Sequence, residues 1–147
     1  MCAVRRIAPS SLPAVKIART LLDEIVEHAV RDAPNECCGL VIGRDGTATS
    51  ARALENLAAS PFRFDIDGKE LIAYAFADED DDQLTAIYHS HTRSEPYPSQ
   101  TDVNFAAGWP GVEWLIVGVP KGTDARPDVR SYLIDDGVIR AVDVEVD

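Results

Sequence analysis

Two histidines one residue apart close an apolar run, and a serine and an aspartate three residues apart follow a proline-rich turn. No other feature constrains this 147-residue chain so strongly. The segment is LTAIYHSHTRSEPYPSQTDVNF, from Leu84 to Phe105. LTAIYHSH reads as a strand, where residues i and i+2 share a face, so His89 and His91 point the same way. Ser99, just after Pro98, reads as the N-cap of a short helix over QTDVNFAAG. On that helix start Ser99 and Asp102 stand on one face. A strand end therefore offers two imidazole nitrogens and a helix start offers a carboxylate oxygen. Zinc takes such donors, and a catalytic zinc commonly keeps three protein ligands and leaves a fourth position to water.

Zinc lowers the pKa of a water in that position towards about 7. Hydrolysis then needs a group that accepts a proton and returns it to the leaving group, a task for one further carboxylate. Glu36 stands between Pro34 and an apolar run, at the edge of a core. Glu95 lies in the loop joining the two ligand pairs. Spacing does not choose between them.

The remaining chain reads as one mixed α/β domain over residues 14–147, preceded by a flexible Ser- and Pro-rich lead over residues 1–13. Val15 to Ala18 is a short strand candidate. Leu21, Leu22, Ile25, Val26, Ala29 and Val30 recur at helical spacing over residues 20–33, with Thr20 and Asp23 as the opening cap and Pro34 as the stop. CCGLVIG is a buried-strand pattern, Ser50 to Glu55 its return strand, and FRFDI a strand with one wet face. KELIAYAFADE reads as a second helix. EWLIVGV, VRSYLI and VIRAVDVEV read as three closing strands, the last two joined by an Asp135-Asp136-Gly137 turn.

The spacing of His89, His91, Ser99 and Asp102 resembles the signature of the JAMM (MPN-plus) metallopeptidases, without gap or substitution. The glutamate of that family, on an early strand after the first helix, matches Glu36 in NECCGLVIG. The resemblance runs from about Val15 to Leu133. The compact form and the wording around the histidines are similar to stand-alone bacterial members that act on ubiquitin-like sulfur-carrier proteins. It implies a cytidine-deaminase-like mixed sheet flanked by helices. It implies zinc held by His89, His91 and Asp102, with Glu36 as proton carrier and Ser99 as donor to the oxyanion; Glu95 has no role in it. The implied activity is hydrolysis of a peptide or isopeptide bond after the C-terminal glycine of a ubiquitin-like carrier, with cysteine as one leaving group. The competing classes are a non-catalytic zinc-stabilised module that binds such a partner, and a phage-tail or cell-wall type peptidase.

Composition narrows the partners. A net charge of −11 argues against nucleic acid and anionic membranes, which need a basic surface. The acidic run Asp78 to Asp82 lacks calcium-loop spacing and reads as a solvated loop. Three cysteines, two of them adjacent, do not make a disulfide framework, and without an apolar leader a cytoplasmic location is expected. Cys37 and Cys38 read as small core residues. A cysteine protease would need a base beside the thiol, and a zinc deaminase would need a Pro-Cys-x-x-Cys segment that is missing. His28 reads as a surface residue, and Trp109 and Trp114 as core or rim. Tyr97 stands in the loop over the ligands as a candidate groove residue. SPFRFDID or the Thr92 to Pro98 loop could offer a free edge to an extended peptide.

Overall fold

The computed structural model describes residues 15–120 and 126–147; the expected lead over residues 1–13, with Cys2, lies outside them. In chain order the elements are β1 (Lys16–Ile17), α1 (Arg19–Asp32), β2 (Cys38–Arg44), β3 (Thr47–Leu54), α2 (Gly68–Ala75), β4 (Gln83–His91), α3 (Gln100–Ala106), β5 (Glu113–Gly118), β6 (Asp128–Asp135), β7 (Val138–Val142) and β8 (Glu145–Val146). The strands form one sheet in the order β7-β6-β5-β4-β2-β3-β1-β8. It is mixed: β4 and β5 run parallel, while β2 is antiparallel to both β3 and β4. The expected mixed α/β domain, a sheet flanked by helices, is what forms.

Strand alternation builds two cores from one sheet. Leu40, Ile42, Ile87, Trp114 and Ile116 face one side, where Leu71 of α2 and Ala106 of α3 join them. Val41, Ala86, Tyr88, Leu115 and Val117 face the other, under Leu22, Ile25 and Ala29 of α1. Every residue of β5 is buried, and β4 is buried from Ala86 onward. Runs that are apolar on both faces belong in the middle of a sheet covered on both sides. Trp114 is fully buried in the first core, and truncating such a side chain costs about 3–5 kcal/mol. Cys37 and Cys38 enter opposite cores as reduced thiols, and burial pushes both up to about 12, in keeping with small apolar residues.

Gly39 shows how tightly the middle strands meet: a Cβ there would collide with the Tyr88 ring and the Arg52 carbonyl. At the other end of the sheet, Asp136 and Gly137 both take positive φ, 50° and 78°, and make the two-residue hairpin expected between β6 and β7.

Several expectations need correction. FRFDI is no strand. Phe64 and Ile66 do point into the core with period two. The neighbouring main chain, however, bonds to the Asn56 side chain and to Leu57 rather than to a ladder, and the outer edge of β3 is taken by β1. VIRAVDVEV splits into β7 and β8, and β8 crosses to pair with β1 at the far edge. Thr20 and Asp23 do not cap α1. Its N-cap is Ala18, which makes no side-chain cap bond, and the Arg19 amide donates to the Asp147 carbonyl at 3.3 Å. The second helix stops at Ala75, having started at an Asp67 cap.

His28 is buried, not exposed. It follows Leu22 and Ile25 on the inward stripe of α1, its Nδ1 2.7 Å from the Tyr88 hydroxyl and its Nε2 3.0 Å from Asp32. Burial lowers its pKa, against the pull of Asp32. The acidic run after α2 is an exposed turn, as expected. Within it the Asp78 amide donates to Asp81, and Asp82 pairs with Arg44 at 2.6 Å. Among the described residues no helix is long and apolar enough to cross a membrane.

Candidate metal centre

Pairing of the central strands brings the site together at one end of the sheet. Cys38 lies opposite His89, and His91 opposite Gly118, so the start of β2 and the ends of β4 and β5 share an edge. His89 is wholly buried, with Phe64 stacked on its ring at 4.5 Å and Trp114 edge-on at 6.2 Å. Two large aromatic neighbours leave the imidazole little freedom to turn. His91, two residues on, shares that face.

The helix start is locked by a reciprocal cap. The Asp102 amide donates to Ser99 Oγ at 3.2 Å, and the Ser99 amide donates to Asp102 Oδ2 at 2.9 Å. This satisfies two helix-end donors and freezes the carboxylate. The same Oδ2 lies 3.2 Å from His89 Nε2 and 3.6 Å from His91 Nε2, and the two Nε2 atoms are 3.1 Å apart. Ligands about 2.0–2.1 Å from a tetrahedral zinc are separated from each other by about 3.3 Å. The three donor atoms therefore have the mutual spacing of one face of such a tetrahedron.

The donor chemistry agrees. His91 Nδ1 is 2.7 Å from the Glu95 carbonyl, which can only accept. In the neutral ring the proton therefore sits on Nδ1, and Nε2 presents a lone pair to the cluster. Burial lowers His89, which favours its neutral ring. Its Nδ1 is buried and meets no hydrogen-bond partner. Burial also acts on His91, but the Asp102 carboxylate and the Glu95 carbonyl, which favour its protonated form, raise it. Burial would push Asp102 up, yet the two imidazoles beside it and the Ser99 amide hold it well below the usual carboxylate range.

Glu36 lies two residues before β2. Its carboxylate and the two histidines offer ligand atoms that all lie within 4.8 Å of one another. Burial is the main influence on it and Asp102 adds to that, so the carboxyl is pushed up to about 8 despite the pull of His91. A cation seated among the three donors would draw it back down.

All five residues expected at the site thus gather at this end of the sheet. Ser99 is exposed, with its hydroxyl hydrogen uncommitted by the amide bond it accepts. Glu95, the local rival, has an exposed side chain and serves through its carbonyl. Tyr97 is half exposed, edge-on to Tyr132, whose hydroxyl donates to the Pro96 carbonyl and so steadies this loop. Neither SPFRFDID nor the Thr92 to Pro98 loop forms a strand.

Several supporting residues escaped the sequence reading. Thr92 donates to the Pro34 carbonyl at 2.6 Å, the Cys37 amide donates to Ser90 Oγ at 2.8 Å, and Asn56 donates to the Glu36 carbonyl at 3.0 Å. Phe64 covers His89. Only the spacing to a partner far along the chain would have marked them. As it stands, the centre gathers donors suited to one divalent cation, with the buried Glu36 carboxyl near the two histidines and the exposed Ser99 hydroxyl capping the Asp102 helix.

A family model of prokaryotic homologs of the JAB domain matches residues 18–135. The chain is 36% identical over 133 residues to the CysO-cysteine peptidase of Mycobacterium tuberculosis, covering 88% of this chain and 89% of that protein. It is 36% identical over 110 residues to the desampylase of Haloferax volcanii, covering 69% and 78%. In three dimensions it is similar to the solution structure of a protein from Desulfitobacterium hafniense, with a TM-score of 0.73 and 27% identity, covering 90% and 92% of the two chains.

Proposed function

The chain belongs to the prokaryotic homologs of the JAB domain and is a hydrolase of the JAMM type, and from that membership we propose that it is a zinc peptidase acting on ubiquitin-like carrier conjugates. The bond cut is the peptide or isopeptide bond after the carrier's C-terminal glycine. Cysteine is the leaving group we favour, because the Mycobacterium tuberculosis relative is a CysO-cysteine peptidase across most of both chains. The cytoplasm and a single domain over residues 14–147 belong to the same reading.

The observation that carries it is the spacing of three donor atoms, 3.1, 3.2 and 3.6 Å apart, with the buried Glu36 carboxyl within 4.8 Å of a ligand nitrogen of each histidine. His89 Nε2, His91 Nε2 and Asp102 Oδ2 would hold the zinc. Zinc bound there would lower the pKa of a water and polarise the scissile carbonyl. Glu36 takes the proton at its carboxylate and hands it to the departing amine, a transfer worth about 10²–10⁴ in rate. Its burial keeps bulk water from competing for that proton. Ser99 Oγ accepts from the Asp102 amide, so its own hydrogen is free to point at the oxygen that gains charge. His91 is held in the ligating tautomer by the Glu95 carbonyl.

The test is to incubate the zinc-loaded protein with a carrier–cysteine adduct and with a carrier–lysine isopeptide conjugate, and to weigh the products. Release of the intact carrier ending in glycine supports the reading, and the faster substrate identifies the leaving group. No release from either, by protein shown to carry zinc, rejects it.

A further inference from the structure

Glu36 stands two residues ahead of β2 and has no place in a strand ladder. Its position must be fixed in some other way. The last β2–β3 pair is Cys38 with Leu54. Continuing that register by two residues on each strand sets Glu36 opposite Asn56. There the Asn56 amide takes over where the ladder ends. Its Nδ2 donates to the Glu36 carbonyl and to the Arg63 carbonyl, each at 3.0 Å. Its Oδ1 accepts from the Ala58 amide at 3.0 Å and from the Asp65 amide at 2.9 Å. All four hydrogen-bonding positions of one half-buried side chain are used, and every bond goes to main chain.

These bonds close the segment from residue 56 to 65 on itself and tie it to Glu36. The Glu36 amide in turn donates to the Ser60 carbonyl, inside that segment, at 2.9 Å. Thus both main-chain polar groups of Glu36 depend on the loop that Asn56 organises. Ser90 and Thr92 hold the flanking residues, Cys37 and Pro34, from the β4 side.

We infer that Asn56 is the positioning residue for Glu36: its side-chain amide stands in for the missing ladder and holds the proton-carrying carboxylate over the metal centre. The inference rests on the proposed role of Glu36. A misplacement of about 1 Å in such a group can cost about 100-fold in rate.

The test uses the full chain loaded with zinc, comparing Asn56→Ala, Asn56→Asp and Glu36→Gln. Asn56→Asp keeps an acceptor for Ala58 and Asp65 but has no hydrogen to give to the Glu36 carbonyl. We expect both Asn56 variants to keep one zinc and a KM near wild type, and to lose about 10- to 100-fold in kcat. Combining Asn56→Ala with Glu36→Gln should lower turnover no further than Glu36→Gln alone. Hydrogen exchange supplies a readout without substrate. Amide protection at Glu36 should fall in both variants while that of β4 and β5 stays. Wild-type kcat in Asn56→Asp, or unchanged protection at Glu36, would overturn the inference. If the wild-type protein cleaves no conjugate, the peptidase reading fails, and the exchange pattern alone still decides whether Asn56 fixes Glu36.

Discussion

The two halves of the site are built by different means. The proposed ligand half, His89, His91 and Asp102, spans fourteen residues and is made by a central strand and a capped helix. The proposed proton half, Glu36, lies more than fifty residues earlier and outside the sheet, held by the side chains of Asn56, Ser90 and Thr92 acting on its own and nearby main chain. A cation site tolerates no slack, because donors must keep spacings within a few tenths of an ångström, and a strand locked between two others supplies that. A proton carrier has to reach two partners in turn, and a loop anchored by hydrogen bonds leaves the side chain that freedom.

The sharpest way to break this division is to strip one half and ask what survives in the other. His89→Ala should abolish zinc binding and turnover together, measured by metal analysis and product mass. Glu36→Gln should keep one zinc and lose about 10²–10⁴ in kcat; loss of zinc in that variant would place Glu36 among the ligands and dissolve the distinction. Ser99→Ala probes the ligand half, whose helix start it caps, and the oxyanion donor beside it. It should cost about 10²–10³ in kcat through the lost oxyanion donor, and about 1 kcal/mol of stability through the lost cap, read from denaturant unfolding.

A further contrast appears in the metal-free protein. Glu36 is raised to about 8 against an ordinary value of 4.5, chiefly by burial. Its proton is therefore kept in the folded state and lost in the unfolded one between those values. Stability from this group is full below about pH 4.5 and falls as pH rises through about 8, by roughly 5 kcal/mol. The difference in unfolding free energy between wild type and Glu36→Gln should follow that course. A flat difference would mean that the carboxyl is not buried as described. The smallest effect concerns the thiols. Cys37 and Cys38, pushed up to about 12 by burial, should resist alkylation at pH 8 in peptide maps of the folded protein, and react once it is unfolded.

The same contrast explains what was legible in the sequence. The ligand half is local, so its spacing of two along a strand and three along a helix could be read directly, as could the cap at Ser99. Buried strands such as CCGLVIG and EWLIVGV were legible because they are apolar on both faces. The misses have a common cause in tertiary hydrogen bonds. FRFDI alternates like a strand because Phe64 and Ile66 do enter the core, but Asn56 meets its main chain. VIRAVDVEV looks continuous, yet its last residues pair with β1 at the opposite edge. His28 looked like a surface residue until Tyr88, sixty positions away, supplied its partner. Glu36 was the best local candidate, at the edge of a core, but spacing did not separate it from Glu95, because nothing near it in the chain records the register that puts Asn56 opposite.

The central claim is that His89 Nε2, His91 Nε2 and Asp102 Oδ2 share one cation while Glu36 stays outside its ligand set. Anomalous diffraction at the zinc edge, on crystals of the zinc-loaded protein, tests it most directly. A single strong peak is expected at this end of the sheet, about 2.0–2.2 Å from those three atoms and with no Glu36 oxygen in the ligand set. A peak ligated by Glu36 in place of Asp102, or no peak at this end of the sheet, would contradict it.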